Sequence, residues 1–314
     1  MLVGVMANAA ATGALSGPHH RYQARIAWLL PLAGLLALAP RPAGTRFHPA
    51  PNRYGRKSAR SSPMPITIDF ADAALVAGAF LLAGLVKGLA GFGLPSVSLG
   101  LLALSRSLPE AMALMLVPTL LTNLWQALAG PALWPALRRL YGFLLAAGLG
   151  SLAGAGVLAR SDAAVLSGLL GLLLVASAGL ALLGPPWPVP SAGRERWLSP
   201  LMGGASGFVA GMTGSFLMPA APWLAALHLP PQQFIQGFGL GVLVVTGALA
   251  AGLAGHGLLP TDLGLASLAG VVPAFLGMAL GQRLRHGMPE ARFRRLVQAA
   301  LGLLGLWLVV RAFG

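Results

Sequence analysis

The stretch GLVKGLAGFGLPSVS, residues 84–98, decides how this chain folds. It lies inside an apolar run, 73–105, whose one charged residue is Lys87. A membrane helix needs roughly 20 apolar residues, so this run is too long for one span and too short for two. The glycines at 88, 91 and 93 and Pro95 permit an interruption of the backbone. The expected result is a broken pair, one helix over 70–87 and a short one over 92–105. The second would begin near Leu94 to Ser96, with its free N–H groups and positive dipole end facing the bilayer interior, a suitable place for an anion.

Outward from this stretch the same measure applies. Uncharged runs at 111–137, 140–159 and 163–193 each hold one ordinary span, the last ending in the Pro-rich tail GPPWPVP. Residues 197–261 contain no Asp, Glu, Lys or Arg. At 1.5 Å per residue they would extend about 98 Å, enough for roughly three crossings. Pro219, Pro222, Pro230 and Pro231 supply the breaks. Runs at 263–282 and 296–310 complete a set of about ten hydrophobic segments, two of them short.

The composition agrees. Of 314 residues 56% are hydrophobic and only 9% charged, against about a quarter in soluble domains, which excludes a soluble enzyme. The net charge of +14 would suggest a nucleic-acid partner in a soluble protein, but eight of the 21 basic residues fall in the first 64, which contain no acid. The remaining 13 basic and 7 acidic residues suit the loops of a membrane protein, so the basicity reads as topology and no nucleic acid is expected. With no Cys and six scattered His, neither a disulfide nor a metal site is expected, and no cofactor. Without a P-loop, direct ATP coupling by this chain is not expected.

Residues 1–64 read as an unstructured or signal-like extension. An apolar stretch at 27–39 follows Arg21 and Arg25, as in a signal peptide, and is too short to span. A start at Met64, opening MPITIDFADAALVAGAF, is the other reading.

The deciding motif occurs twice. Gly84-x3-Gly88-x2-Gly91 recurs as Gly207-x3-Gly211-x2-Gly214 in GFVAGMTGSFLMP, at an offset of 123. Leu108-Pro109 recurs as Leu229-Pro230, the LAG-x4-P of 128–135 as 253–260, and Gly150-x3-Gly154 as Gly277-x3-Gly281. Unbroken order at offsets of 121 to 127 marks an internal repeat. The chain is therefore expected to be an all-α polytopic membrane protein with two inverted repeats, 66–184 and 198–313, joined by a cytoplasmic linker at 185–197. Each repeat has about five segments and opens with a broken, short helix pair.

An odd number of segments per repeat inverts the second copy, so corresponding loops should carry opposite charge bias. The loop after the third segment has Arg138 and Arg139; its counterpart near Pro260 has only Asp262. The loop after the fourth has Arg160 balanced by Asp162; its counterpart has Arg283, Arg285, Arg292, Arg294 and Arg295 against Glu290. Both agree with an inside linker bearing Arg194 and Arg196 and with Asp69 and Asp72 outside.

Inverted repeats with broken helices are the construction of secondary carriers, whose substrate binds near the midplane. The candidate substrate residues are Lys87, Gly88, Gly91, Gly93, Ser96 and Asn123 in the first repeat, and Gly211, Thr213, Gly214, Ser215 and Gln236 in the second. Two facing helix N-termini would bracket one anion. Each residue also has a plainer reading: the glycines as packing surfaces, Lys87 as a snorkelling cation, the amides as bridges between helices. No catalytic residue is expected.

The two Gly-rich motifs, each followed by a Pro, resemble those that open the halves of the sulfite exporter TauE/SafE family, and the similarity extends over about 66–313. The resemblance implies a multi-pass inner-membrane transporter of anions such as sulfur oxyanions or organosulfonates. The family's usual triple glycine is replaced by Gly91-Phe92-Gly93 and Gly214-Ser215-Phe216.

The expected function is thus secondary transport of a small anionic solute across the lipid bilayer by alternating access; oligomeric state is not readable. Two alternatives stand. One is a rhomboid-like intramembrane serine protease, from Gly204-Ala205-Ser206-Gly207 with His256 as base. The other is a non-transporting membrane subunit.

Overall fold

The computed structural model describes residues 70–184, 187–259, 261–285 and 290–313; the extension at 1–64 lies outside the described residues. The chain divides into two compact units at Leu75. The first contributes, among the described residues, only the opening of one helix. The described residues are otherwise all helix and connections, with no strand.

The first five helices are α1 (Phe70–Ala90), α2 (Leu94–Leu102), α3 (Leu108–Leu128), α4 (Leu133–Leu158) and α5 (Ala163–Leu183). The next six are α6 (Ala192–Thr213), α7 (Ala220–Ala226), α8 (Pro231–Gly255), α9 (Thr261–Ala269), α10 (Val271–Arg285) and α11 (Glu290–Phe313). Seven of them, with α9 and α10 counted as one span, are long and apolar enough to cross a membrane. Outward-facing Leu145, Leu149, Leu172, Leu276 and Leu303 are each more than half exposed, a surface that suits lipid.

Local chemistry sets the helix ends. Gly91 and Gly93 take left-handed φ values of 82° and 99°, open to Gly at little cost, and stop α1. Pro95, with its fixed φ, sits in the first turn of α2. Glu110 reaches back to the Ser107 N–H at the start of α3, and Asp162 accepts from the Ala164 N–H at the start of α5. Inside α3, Pro118 has no N–H to offer the Leu114 carbonyl; the Ser267 hydroxyl of α9 donates to it instead, at 2.7 Å.

Several sequence boundaries move. The first break falls as expected. Residues 197–261 hold two long helices and one short one in place of three crossings, because α7 is only seven residues. Helix α6 begins at Ala192, within the stretch expected to be linker. The run at 263–282 is divided near Gly270.

Helices in lipid gain nothing from hiding apolar surface and associate through close packing, so small residues mark their contacts. A Cβ on Gly84 or Gly88 would strike the carbonyls of Ala274 and Met278 on α10, while Gly277 and Gly281 face those of Leu81 and Leu85 on α1. Between α4 and α6, Gly207 and Gly211 face the carbonyls of Ala147 and Ser151, and Gly150 and Gly154 those of Gly204 and Phe208. Helix α6 stands to α1 at an offset of 123 and α10 to α4 at 127, and every contact in one set has its counterpart in the other. Helices α5 and α11 meet reciprocally, Gly171 and Gly305 each facing the other's carbonyl.

Gly207→Val should therefore melt earlier in detergent, by at least the ~1–3 kcal/mol of an overpacked interior. Gly247→Ala, whose added Cβ meets nothing within 4 Å, should melt no earlier.

Candidate functional site

The first break leaves backbone groups that neighbouring side chains take up. Gln126 of α3 donates through Nε2 to the Gly91 carbonyl at 2.9 Å and to the Ile235 carbonyl of α8 at 2.7 Å, holding three helices at one point. One turn before the break, Lys87 is 3% exposed and donates through Nζ to Asn123 Oδ1 of α3 at 2.5 Å. Asn123 in turn donates to the Thr119 carbonyl, so its amide is fixed with the oxygen toward the lysine. Among the described residues no carboxylate pairs with Lys87, and no Asp or Glu is buried. A cation whose partner is an uncharged amide leaves positive potential in an apolar interior.

The second break differs from the first. Gly214, with φ 74°, ends α6, but five residues, 215–219, separate it from the seven-residue α7. So short a helix does not offer the second facing N-terminus expected from the sequence. Instead the two breaks meet through side chains: Ser96 Oγ of α2 and Ser215 Oγ are 2.8 Å apart, both buried.

The remaining candidates distribute as follows. Gly88 and Gly211 lie on the helix crossings described above. Thr213 is buried and donates to the Val209 carbonyl of its own helix. Gln236 joins the α3–α4 turn, donating to the carbonyls of Ala127 and Gly130 and accepting from the Ala132 N–H. That position stitches a turn and is separate from the Lys87–Asn123 and Ser96–Ser215 pairs.

The sequence reading did not single out the aromatic row that joins the breaks. Phe92 of the first break packs on Phe238 of α8 at 5.3 Å between ring centroids, and Phe238 on Phe216 of the second break at 5.7 Å. Phe234 and Phe143 extend the row at either end. The signal was present in the departures from triple glycine, since Phe92 and Phe216 are two of them, with Ser215 the third.

The protease reading finds no support in the geometry. The Ser206 hydroxyl donates to the Met202 carbonyl one turn back in its own helix, His256 is exposed at the end of α8, and no hydrogen bond joins them among the described residues.

Seven helices long and apolar enough to cross a membrane, among the described residues, define a multi-pass helical membrane protein. A model of the sulfite exporter TauE/SafE family matches residues 75–308, and the chain belongs to that family. No curated protein and no solved structure matches the chain.

Asn123→Ala strips Lys87 of its acceptor and should lower stability by about 1.5–3 kcal/mol, the range for a hydrogen bond to a charged group. Adding Lys87→Met should recover most of that loss, because the unpaired cation goes with it. Thermal melts of the two variants in detergent check the pair.

Proposed function

We propose that this protein is a secondary carrier for a small anion in the cell's inner membrane, working by alternating access between two inverted halves, 66–184 and 198–313. The observation that carries the reading is Lys87, a buried cation beside an interrupted helix whose one partner among the described residues is an amide oxygen. An anion arriving there supplies the missing countercharge, and its departure restores a costly state, which favours passage over tight retention. Sulfur oxyanions and organosulfonates are the substrates that family membership puts forward.

The inverted arrangement is supported by the matched glycine contacts at offsets of 123 and 127. It is supported also by which helix ends meet. Arg139, near the start of α4, pairs with Glu195 at the start of α6 at 2.9 Å and donates to the Leu227 carbonyl after α7. At the other extreme, Arg311 near the end of α11 donates to the carbonyls of Ala103 and Leu104 after α2. A two-unit exchange of this kind needs no third partner, so the purified chain should transport alone.

Purified protein in liposomes should take up or release a labelled sulfur oxyanion, and Lys87→Gln should lower the rate at least tenfold while the variant still folds. Protein-mediated flux that is absent for every sulfur oxyanion and organosulfonate offered would instead favour a subunit of a larger assembly. For topology, tags placed at Arg138 and at Asp262 should be reached by an impermeant reagent from opposite sides of the membrane; labelling from the same side overturns the inversion.

A further inference from the structure

The two short helices that follow the breaks, α2 and α7, are built alike. Each is preceded by glycine with a left-handed φ, Gly91 and Gly93 before α2 and Gly214 before α7, so each hangs on a joint that turns at little cost. At its far end each is held by an arginine from another helix. The last carbonyls of a helix have no intrahelical donor and form its negative dipole end, so a cation that donates there satisfies both. Beyond α2, Arg311 Nη1 of α11 donates to the Ala103 carbonyl at 2.9 Å and to the Leu104 carbonyl at 2.8 Å. Beyond α7, Arg139 Nη2 of α4 donates to the Leu227 carbonyl at 3.3 Å. Both arginines are also fixed from behind. The Arg311 guanidinium lies over the Trp307 ring at 5.2 Å, and Arg139 makes a two-point pair with Glu195 of α6 at 2.9 and 3.1 Å.

The two contacts stand at opposite ends of α3. Ala103 and Leu104 lead into its start at Leu108, Arg139 follows its end at Leu128 through the α3–α4 turn, and the 21 residues between extend about 31 Å, the depth of a bilayer core. Each contact also joins one repeat to the other: Arg311, in 198–313, holds α2 of 66–184, and Arg139, in 66–184, holds α7 of 198–313. A bond that crosses between two bodies must break when the bodies part at that level. Between the two ends the protein is closed. The breaks touch through Ser96 and Ser215, and the hollow beside them, lined by Gly93, Leu217 and Gln298, is apolar and holds no more than a water.

We propose that Arg311 and Arg139 are the two gate clamps of the carrier. Release of Arg311 from Ala103 and Leu104 lets α2 turn about Gly91 and Gly93 and opens one face; release of Arg139 from Leu227 lets α7 turn about Gly214 and opens the other. With both clamps made, as here, the protein is shut to both sides. The proposal rests on the carrier reading and adds to it the side chains whose bonds alternate.

The chain has no Cys, so one introduced thiol reports on one place. Ser98→Cys puts it on α2 and Ala220→Cys on α7; both positions are fully buried, and Ser98 bonds only to carbonyls of its own helix. The full chain is labelled with a membrane-impermeant maleimide in right-side-out and in inverted vesicles. Arg311→Ala should speed labelling of Ser98→Cys by about tenfold or more from one face and leave Ala220→Cys at its starting rate, and Arg139→Ala should do the reverse from the opposite face. Arg311→Lys and Arg139→Lys, which keep the charge without the flat fork of donors, should label at intermediate rates, and they carry the test where an alanine variant does not fold. Arginine variants that speed both thiols alike, that speed neither, or that act from the same face overturn the clamps. Anion flux through liposomes separates that failure from the failure of the carrier. Clamps overturned while the wild type still moves anions leave the carrier standing; a wild type that moves none overturns the carrier and the gating role together.

Discussion

A helix can stop partway across a bilayer only where protein supplies the hydrogen bonds that lipid cannot. That constraint accounts for a set of polar side chains that bridge from one helix to another. Gln126 takes the Gly91 carbonyl at the first break, Ser267 the Leu114 carbonyl orphaned by Pro118, and Gln236 the carbonyls of the α3–α4 turn. Arg311 takes the last carbonyls beyond α2 and stacks its guanidinium on Trp307. Each of these side chains comes from an element distant in sequence, so every interruption is also a junction between helices. A substitution at one of them would release a backbone end and a packing contact together.

The glycine crossings serve the same end by a different route. Where α1 meets α10 and α4 meets α6, bare Cα atoms lie against carbonyls of the facing helix, bringing the backbones as near as they can come. Crossings so close involve α1 and α6, the helices that carry the breaks.

Lys87 is held by a neutral amide that is itself locked by its own helix, so its side chain is not free to swing away. Around it the acidic side chains stay at segment ends, as with Glu110, Asp162 and Glu195. The row from Phe92 through Phe238 to Phe216 lies between the two breaks, a dry seam beside a polar one.

The run lengths, the scarcity of charge and the doubled glycine motif were enough to read a polytopic helical protein and the place of the first break. Those features depend on near neighbours: a span needs about 20 apolar residues, and a left-handed turn needs glycine. The offset of 123 between Gly84 and Gly207 likewise became a matched pair of crossings, because close approach is available to glycine wherever it recurs on a helix face. Sequence alone overestimated the second break, where proline and glycine mark an interruption but do not say how many turns of helix follow. It also could not assign Gln236 to a turn, nor find Gln298 in a cavity, since an amide's role is decided by which backbone ends or voids lie within reach. Those ends come from helices distant in the sequence, and only their packing decides which polar side chain completes a bond with them.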